Sequence, residues 1–295
     1  MANILKVAVV QHDCNQDYQN NLDNSIKGII EAGKKGAEIV LLPELNCLPY
    51  FCVREDVRNF DLAESIPGPT TETLGKIAKE NSIVIITSIF EKRAKGLYHN
   101  TAVVFDKDGS LAGTYRKMHI PDDPGFYEKF YFTPGDQGFL PINTSMGKLG
   151  ILVCWDQWFP EAARLMALAG AEILFYPSAI GWDPDDDEEE KIRQRNAWMT
   201  IQKSHAIANN LPVVSSNRVG YESDPTDSSK GTEFWGSSFI AGQQGEILAK
   251  APIDKPTVIL AEIDTGKTDS VRRIWPYFRD RRIDAYQDII KRHIE

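Results

Sequence analysis

Short apolar runs rich in β-branched residues alternate along the chain with stretches whose apolar residues recur every three or four positions. Leu5–Gln11, Ile39–Leu42 and Ile83–Phe90 read as strands, with helices over Tyr18–Gly33 and Thr70–Asn81 between them. In the first helix Leu22, Ile26, Ile29 and Ile30 share one face while Asn21, Asp23, Lys27 and Glu31 point elsewhere, so it packs by one side on a sheet. Thr101–Phe105 and Leu111–Tyr115 flank Asp106–Gly109 and read as a hairpin. The alternation then resumes. An apolar run at Lys148–Trp155 leads to a helix opened by Pro160, a strand at Ile173–Tyr176, a long helix ending near Asn209 and a strand at Val213–Ser216. A second hairpin joins Ser238–Ile240 to Glu246–Ala249 across Gly242–Gly245.

Two ten-residue pieces are alike: GAEIVLLPEL at Gly36–Leu45 and GAEILFYPSA at Gly170–Ala179. Each has a glycine suited to closing a helix, then an apolar strand that stops at a proline. With the paired hairpins they predict two similar α/β halves. The fold class expected is a four-layer α-β-β-α sandwich of two pseudo-symmetric halves, sheets face to face and helices outside. No Pro-, Gly- or Ser-rich linker divides the chain, so residues 1–295 read as a single domain.

Composition narrows the function. With 33 basic against 42 acidic side chains the net charge is −9, which disfavours a nucleic-acid-coating surface or a polybasic membrane anchor. No apolar run reaches the roughly 18 residues of a membrane span, and the start carries no leader pattern. The expectation is a cytoplasmic protein without membrane or nucleic-acid partners, acting on a small molecule. Cys14, Cys47, Cys52 and Cys154 are irregularly spaced, so reduced thiols are expected rather than a disulfide framework.

Cys154 is the thiol to weigh. It sits where the run KLGILVCW gives way to a helix starting Pro160-Glu161, a turn that can lift a nucleophile off a sheet and offer backbone N–H groups to an oxyanion. Free cysteine is equally at home as a core filler. An ordinary thiol, with a pKa of about 8.5, is mostly protonated at neutral pH, so a catalytic role demands a base or a cation nearby. Glu44 emerges from the end of the strand Ile39–Leu42, at the edge where open α/β sheets place their chemistry. Lys117 ends the first hairpin. His119 and His99 are alternative bases, though each is equally readable as a packed, hydrogen-bonded side chain.

Taken in order, LLPE at Leu41–Glu44, YRKMHIP at Tyr115–Pro121 and CWDQWFPEAAR at Cys154–Arg164 resemble the Glu-Lys-Cys triad segments of the nitrilase, or carbon–nitrogen hydrolase, superfamily. The resemblance covers nearly the whole chain. KMHIPDDPGFYEKFYFTPGD from Lys117, SSNRVG from Ser215, GSSFIAG from Gly236 and FRDRR from Phe278 are similar to its branch acting on N-carbamoylputrescine. That resemblance implies Glu44 as general base, Cys154 as nucleophile, and Lys117 with the backbone N–H of Trp155 as oxyanion stabiliser. Glu128 matches a second family glutamate that orients the lysine or the substrate. No metal and no cofactor is implied, and the His and Cys residues show no zinc-ligand spacing. The family also implies a homo-oligomer, with the tail from about residue 271 to 295 in its contacts.

A substrate ending in an ammonium calls for acids at the pocket mouth, whereas an N-carbamoyl amino acid calls for an arginine clamp. Asp122, Asp156, Ser178 and Asp183 are the candidate substrate contacts, with Asp123 beside the first. The other acids of Asp185–Glu190 read as the first turn of the long helix, favoured by its dipole. Trp155, Trp158, Trp182, Phe126 and Tyr127 could line an apolar channel, and Arg218 is the feature suited to a carboxylate. Ile283 stands where the branch usually has proline after FRDRR.

Overall fold

The computed structural model describes residues 4–183, 185–224 and 226–295. Its frame is a pair of six-stranded sheets. In the first, Ile4–Gln11, Ile39–Leu41 and Val84–Ala94 run parallel and are followed by antiparallel Leu97–Phe105 and Leu111–Arg116. In the second, Gly147–Ile151, Ile173–Pro177 and Val213–Ser216 run parallel, followed by antiparallel Phe239–Ala241 and Ile247–Lys250. The order and direction are the same in both, which is the repeat expected from the two GAEI segments. Each sheet gains one antiparallel edge strand beside its first: Thr257–Asp264 and Ile142–Thr144 respectively.

Strand periodicity explains the layers, because alternate residues of a strand face opposite sides. Val7 and Val9 point inward and share one core with Leu41, Ile86, Ile151 and Phe175 from both sheets. Ala8 and Val10 point outward and pack with Leu22, Ile29 and Leu74 of the helices Tyr18–Lys34 and Pro69–Asn81. On the other outside, Pro160–Leu168 and Glu188–Asn209 contribute Ala163, Met166 and Trp198 to the core. The α-β-β-α sandwich is therefore as expected. Among the described residues no helix is long and apolar enough to cross a membrane.

Most element ends differ from the sequence reading by a residue or so; the exceptions are the strand read as Ile83–Phe90, which runs on to Ala94, the strand read as Thr101–Phe105, which starts at Leu97, and the apolar run at Lys148–Trp155, whose strand stops at Ile151. Besides the edge strands Thr257–Asp264 and Ile142–Thr144, two features were not foreseen. Gly181–Trp182, Val219–Asp224 and Asp227–Trp235 form a separate three-stranded sheet, whose Gly- and Ser-containing sequence lacks a simple apolar alternation. Asn21, expected on the solvent side of the first helix, is buried; its amide donates to the Asn15 and Cys47 carbonyls. It extends a buried polar group in which the Ser25 hydroxyl lies 3.0 Å from His12 and accepts from Asn46. Glycine at position 28 lets the first helix approach its sheet, since a Cβ there would meet Val10 Cγ1 at 2.5 Å. Valine is stiff at χ1 and cannot swing clear. Gly28→Ala should therefore lower unfolding free energy by about 1 kcal/mol or more in urea titration, despite alanine's better helix propensity. Equal or greater stability of the variant would refute this account of the contact.

Candidate active site

Strand ends of both sheets converge on one buried cluster. Beyond Gly147–Ile151 the chain turns at Cys154, whose φ of 43° lies in the left-handed region. A non-glycine residue there costs on the order of 1–3 kcal/mol and must be held by its surroundings. Asp156 is what holds it. Oδ2 accepts the Val153 N–H at 2.9 Å and the Tyr115 hydroxyl at 2.8 Å, while Oδ1 accepts the His119 N–H at 3.0 Å and lies 2.7 Å from its Nδ1. Fully buried and with both oxygens engaged, Asp156 braces the nucleophile's turn and is not placed to contact substrate. That corrects the sequence expectation.

Glu44 follows Ile39–Leu41 by way of Leu42 and Pro43, and is fully buried. Its Oε1 accepts the Asn100 amide at 2.7 Å and Lys117 Nζ at 2.8 Å, leaving buried Oε2 without a partner. Lys117 continues from Leu111–Arg116, and its N–H pairs with the Asn100 carbonyl, so one strand neighbour orients both members of the pair. The ammonium also donates to Glu128 Oε2 at 2.6 Å, and the Tyr50 hydroxyl donates to Glu128 Oε1 at 2.8 Å.

The charges follow from burial and neighbours. Burial opposes the Lys117 ammonium, but the Glu128 and Glu44 carboxylates outweigh it and hold its pKa well above the ordinary lysine range. Burial pushes Glu128 up to about 7 against the pull of Lys117, with Glu44 adding to the rise. Burial likewise drives the Cys154 thiol well above its usual value; Glu44 adds to this and Lys117 opposes it. The thiol therefore rests protonated, donating weakly to the Ala179 carbonyl at 3.8 Å, and needs a base to react. Glu44, with a free oxygen, is the ionisable neighbour suited to that task.

Over Cys154 opens a cavity of about 440 Å³. Trp155, Trp158, Phe126 and Trp235 form apolar walls, and Asp123, Glu128, Asp183 and Asp186 supply carboxylates; among the described residues no Lys or Arg lines it. Half-buried Asp123 keeps an Oδ1 with no partner. Of the acids singled out from the sequence, Asp183 lines this cavity. Asp122 is exposed and off the cavity, and Ser178 is buried against Gln157. Trp182 and Tyr127 are likewise not in the wall; the Trp182 indole donates to the Lys191 carbonyl. Arg218 is fully buried, its guanidinium engaged by Glu222, and is no carboxylate clamp. The His99 Nδ1–H donates to the Thr133 carbonyl at 2.8 Å, and the His119 ring stacks on that of Phe159 with centres 3.7 Å apart; neither joins the cluster.

Sequence reasoning missed Asp186 and Trp235. Asp187 is the true cap of Glu188–Asn209, its carboxylate accepting the Glu190 N–H, so Asp185 and Asp186 precede the helix. Placing the cap at Asp187 was the available signal, since Asp at the N-cap is favoured. Trp235 arrives on the small sheet, which had no sequence signature.

The family model for carbon-nitrogen hydrolases matches residues 6–273. The chain belongs to that family, the nitrilase superfamily, and is a hydrolase acting on linear amides. It is 44% identical over 288 residues to an N-carbamoylputrescine amidase of Oryza sativa subsp. japonica, covering 97% of this chain and 94% of the relative. It is 42% identical over 294 residues to a citrullinase of Francisella tularensis subsp. tularensis, covering 99% and 100%. A crystal structure of a carbon-nitrogen hydrolase from Helicobacter pylori G27 superposes with a TM-score of 0.96 at 55% identity, covering 99% and 100%. Saccharomyces cerevisiae Nit3, of the nitrilase superfamily, gives 0.78 at 27% identity, covering 95% and 97%.

The Glu128 environment has a pH signature. A carboxyl whose folded pKa is raised from 4.5 to about 7 makes the folded state bind more protons than the unfolded one between those values. Its contribution to stability is thus fully present below about pH 4.5 and falls as pH rises towards 7. Glu128→Gln removes that component. Unfolding free energy measured at pH 5, 6 and 7 should fall more steeply, by about 1 kcal/mol per pH unit, in the parent than in the variant. Parallel slopes would show that Glu128 does not hold its proton in this way.

Proposed function

We propose that the protein hydrolyses N-carbamoylputrescine to putrescine, carbon dioxide and ammonia. The observation that carries this is the charge of the cavity: acids and aromatic rings, with no basic side chain among the described residues that line it, suit a four-carbon chain ending in an ammonium. The similarity to the rice amidase supports it. Glu44 Oε2 takes the thiol proton as Cys154 Sγ attacks the carbamoyl carbon, a role worth typically ~10²–10⁴-fold. Lys117 and the Trp155 N–H hold the oxyanion, where losing one donor costs about 3–4 kcal/mol of barrier. Collapse breaks the C–N bond; Glu44 returns its proton to the leaving ammonia and a thiocarbamoyl enzyme remains. Glu44 next deprotonates a water that attacks the same carbon, the C–S bond breaks and the thiol regains its proton. The released carbamate loses carbon dioxide to give the free amine. Glu128 keeps Lys117 in place, and no metal or organic cofactor enters the sequence.

Citrulline, suggested by the Francisella relative, presents the same ureido group but ends in an α-amino acid. Its carboxylate would face Asp123, Asp183 and Asp186, with no cation among the described lining residues to pair it. N-carbamoyl-β-alanine meets the same obstacle. A binding or scaffold role without catalysis is disfavoured by an assembled Glu44, Lys117 and Cys154. A cytoplasmic setting suits four unpaired cysteines. The tail 271–295 leaves Ile274, Trp275, Ile283 and Ile290 exposed, which supports contacts with a second copy.

Kinetics on N-carbamoylputrescine, citrulline and N-carbamoyl-β-alanine, run side by side, should give the highest kcat/KM for the first; preference for either carboxylate substrate would overturn the assignment. Cys154→Ala should abolish ammonia release with an unchanged circular dichroism spectrum, and retained turnover would remove the triad. Asp186→Asn should raise KM for N-carbamoylputrescine by about tenfold, as for a lost charged hydrogen bond. Light scattering at micromolar concentration should find an oligomer, and a monomer would contradict the role of the tail.

A further inference from the structure

We propose that Arg218 is a positioning residue for the reaction: its buried guanidinium clamps the turn that carries Glu44 and so fixes where the base points. This rests on the reading of Glu44 as base. Leu45, the next residue, has a φ of 49°, and this kink turns two successive carbonyls towards one side. Arg218 fills that side. Nε donates to the Glu44 carbonyl at 3.1 Å and Nη2 to the Leu45 carbonyl at 2.7 Å, while Nη1 donates to both Glu222 oxygens at 2.8 and 3.0 Å. The flat guanidinium is needed because three separate nitrogens make four contacts spread across its plane, whereas an ammonium offers three N–H groups from a single atom.

The same pair reaches the other carboxylate of the cluster. Glu222 Oε2 accepts the Tyr50 N–H at 2.7 Å, and the Tyr50 hydroxyl is the donor on Glu128. Arg218 also lies 5.8 Å from the Tyr50 ring centre and 5.6 Å from that of Phe234, so its charge is paired and faced by aromatic rings. Arg218, Glu222, Tyr50 and Phe234 do not line the cavity. The clamp therefore acts on the base's position and leaves the substrate's own contacts untouched.

Arg218→Lys keeps a cation opposite Glu222 but loses the fork. It should lower kcat by about 10²-fold, the scale of a misplacement near 1 Å, with KM changed by no more than about threefold. Alkylation of Cys154 by iodoacetamide, followed by peptide mass, gives a readout that a purely structural role would not move. It should slow in Arg218→Lys and in Glu44→Gln, and the double variant should alkylate no slower than Glu44→Gln alone. An Arg218→Lys protein that melts lower yet turns over and alkylates like the parent would overturn the clamp, as would additive losses in the double variant. Unchanged alkylation in Glu44→Gln would instead remove the base assignment beneath it. If Arg218→Lys does not fold, Glu222→Gln keeps an acceptor for the guanidinium while removing its charge partner. It should shift kcat and alkylation in the same direction, and parental values of both would overturn the proposal.

Discussion

The site depends on one ammonium held between two carboxylates, all buried from bulk solvent. Lys117 Nζ lies 2.8 Å from Glu44 and 2.6 Å from Glu128, with all three side chains essentially inaccessible. Three buried charges are costly to desolvate, and removing a single partner from such a set leaves an uncompensated charge worth about 3–5 kcal/mol. The arrangement is tolerable because most of the remaining polar valences are filled: Asn100 serves Glu44 and Tyr50 serves Glu128. The exception is Glu44 Oε2. An unpaired buried oxygen is unfavourable in a structural carboxylate and useful in a base, so its position beside the thiol's surroundings reads as function.

The repeat explains how these groups come together. Gly36–Leu45 and Gly170–Ala179 are matching segments, which makes Glu44 and Ser178 equivalent positions, and the Glu44 N–H donates to the Ser178 carbonyl at 3.2 Å. Face-to-face packing of two like sheets thus brings matching strand ends into contact. The halves then diverge in chemistry: one provides the carboxylate and, through its hairpin, the lysine, while the other provides the cysteine.

Much of this was legible in the chain, for identifiable reasons. The outer helices declared themselves because a period-3.6 pattern reports one-sided burial, as at Leu22–Ile29, and the strands because short β-branched apolar runs such as Val7–Val10 are buried on both faces. The triad segments were legible through their similarity to a family, whereas Glu44 alone looked like any loop acid. What failed was the fate of polar residues whose partners are far away in sequence. Asp156 lies near the nucleophile in the chain but bonds Tyr115 and His119, and Arg218 bonds carbonyls more than 170 positions earlier. No local pattern encodes such pairs. Asp186 was misjudged for a narrower reason: the first turn of the helix was read as including Asp185 and Asp186, whereas the helix begins at Glu188.

Those two long-range residues also show how the halves are kept in register. Each half carries a non-glycine residue in the left-handed region at its turn of the site: Leu45 after the proposed base Glu44, and the proposed nucleophile Cys154 itself. Neither turn is held by its own half alone. Arg218, from the second half, fastens the Glu44 and Leu45 carbonyls. Asp156, bracing Cys154, is fastened to Tyr115 and to His119, two residues beyond Lys117, in the first. Sliding one sheet over the other would break both ties together, so the strain at each turn persists only while base, lysine and thiol are aligned. A buried polar crossing of this kind specifies geometry where apolar packing between the sheets, being non-directional, would accept small shifts.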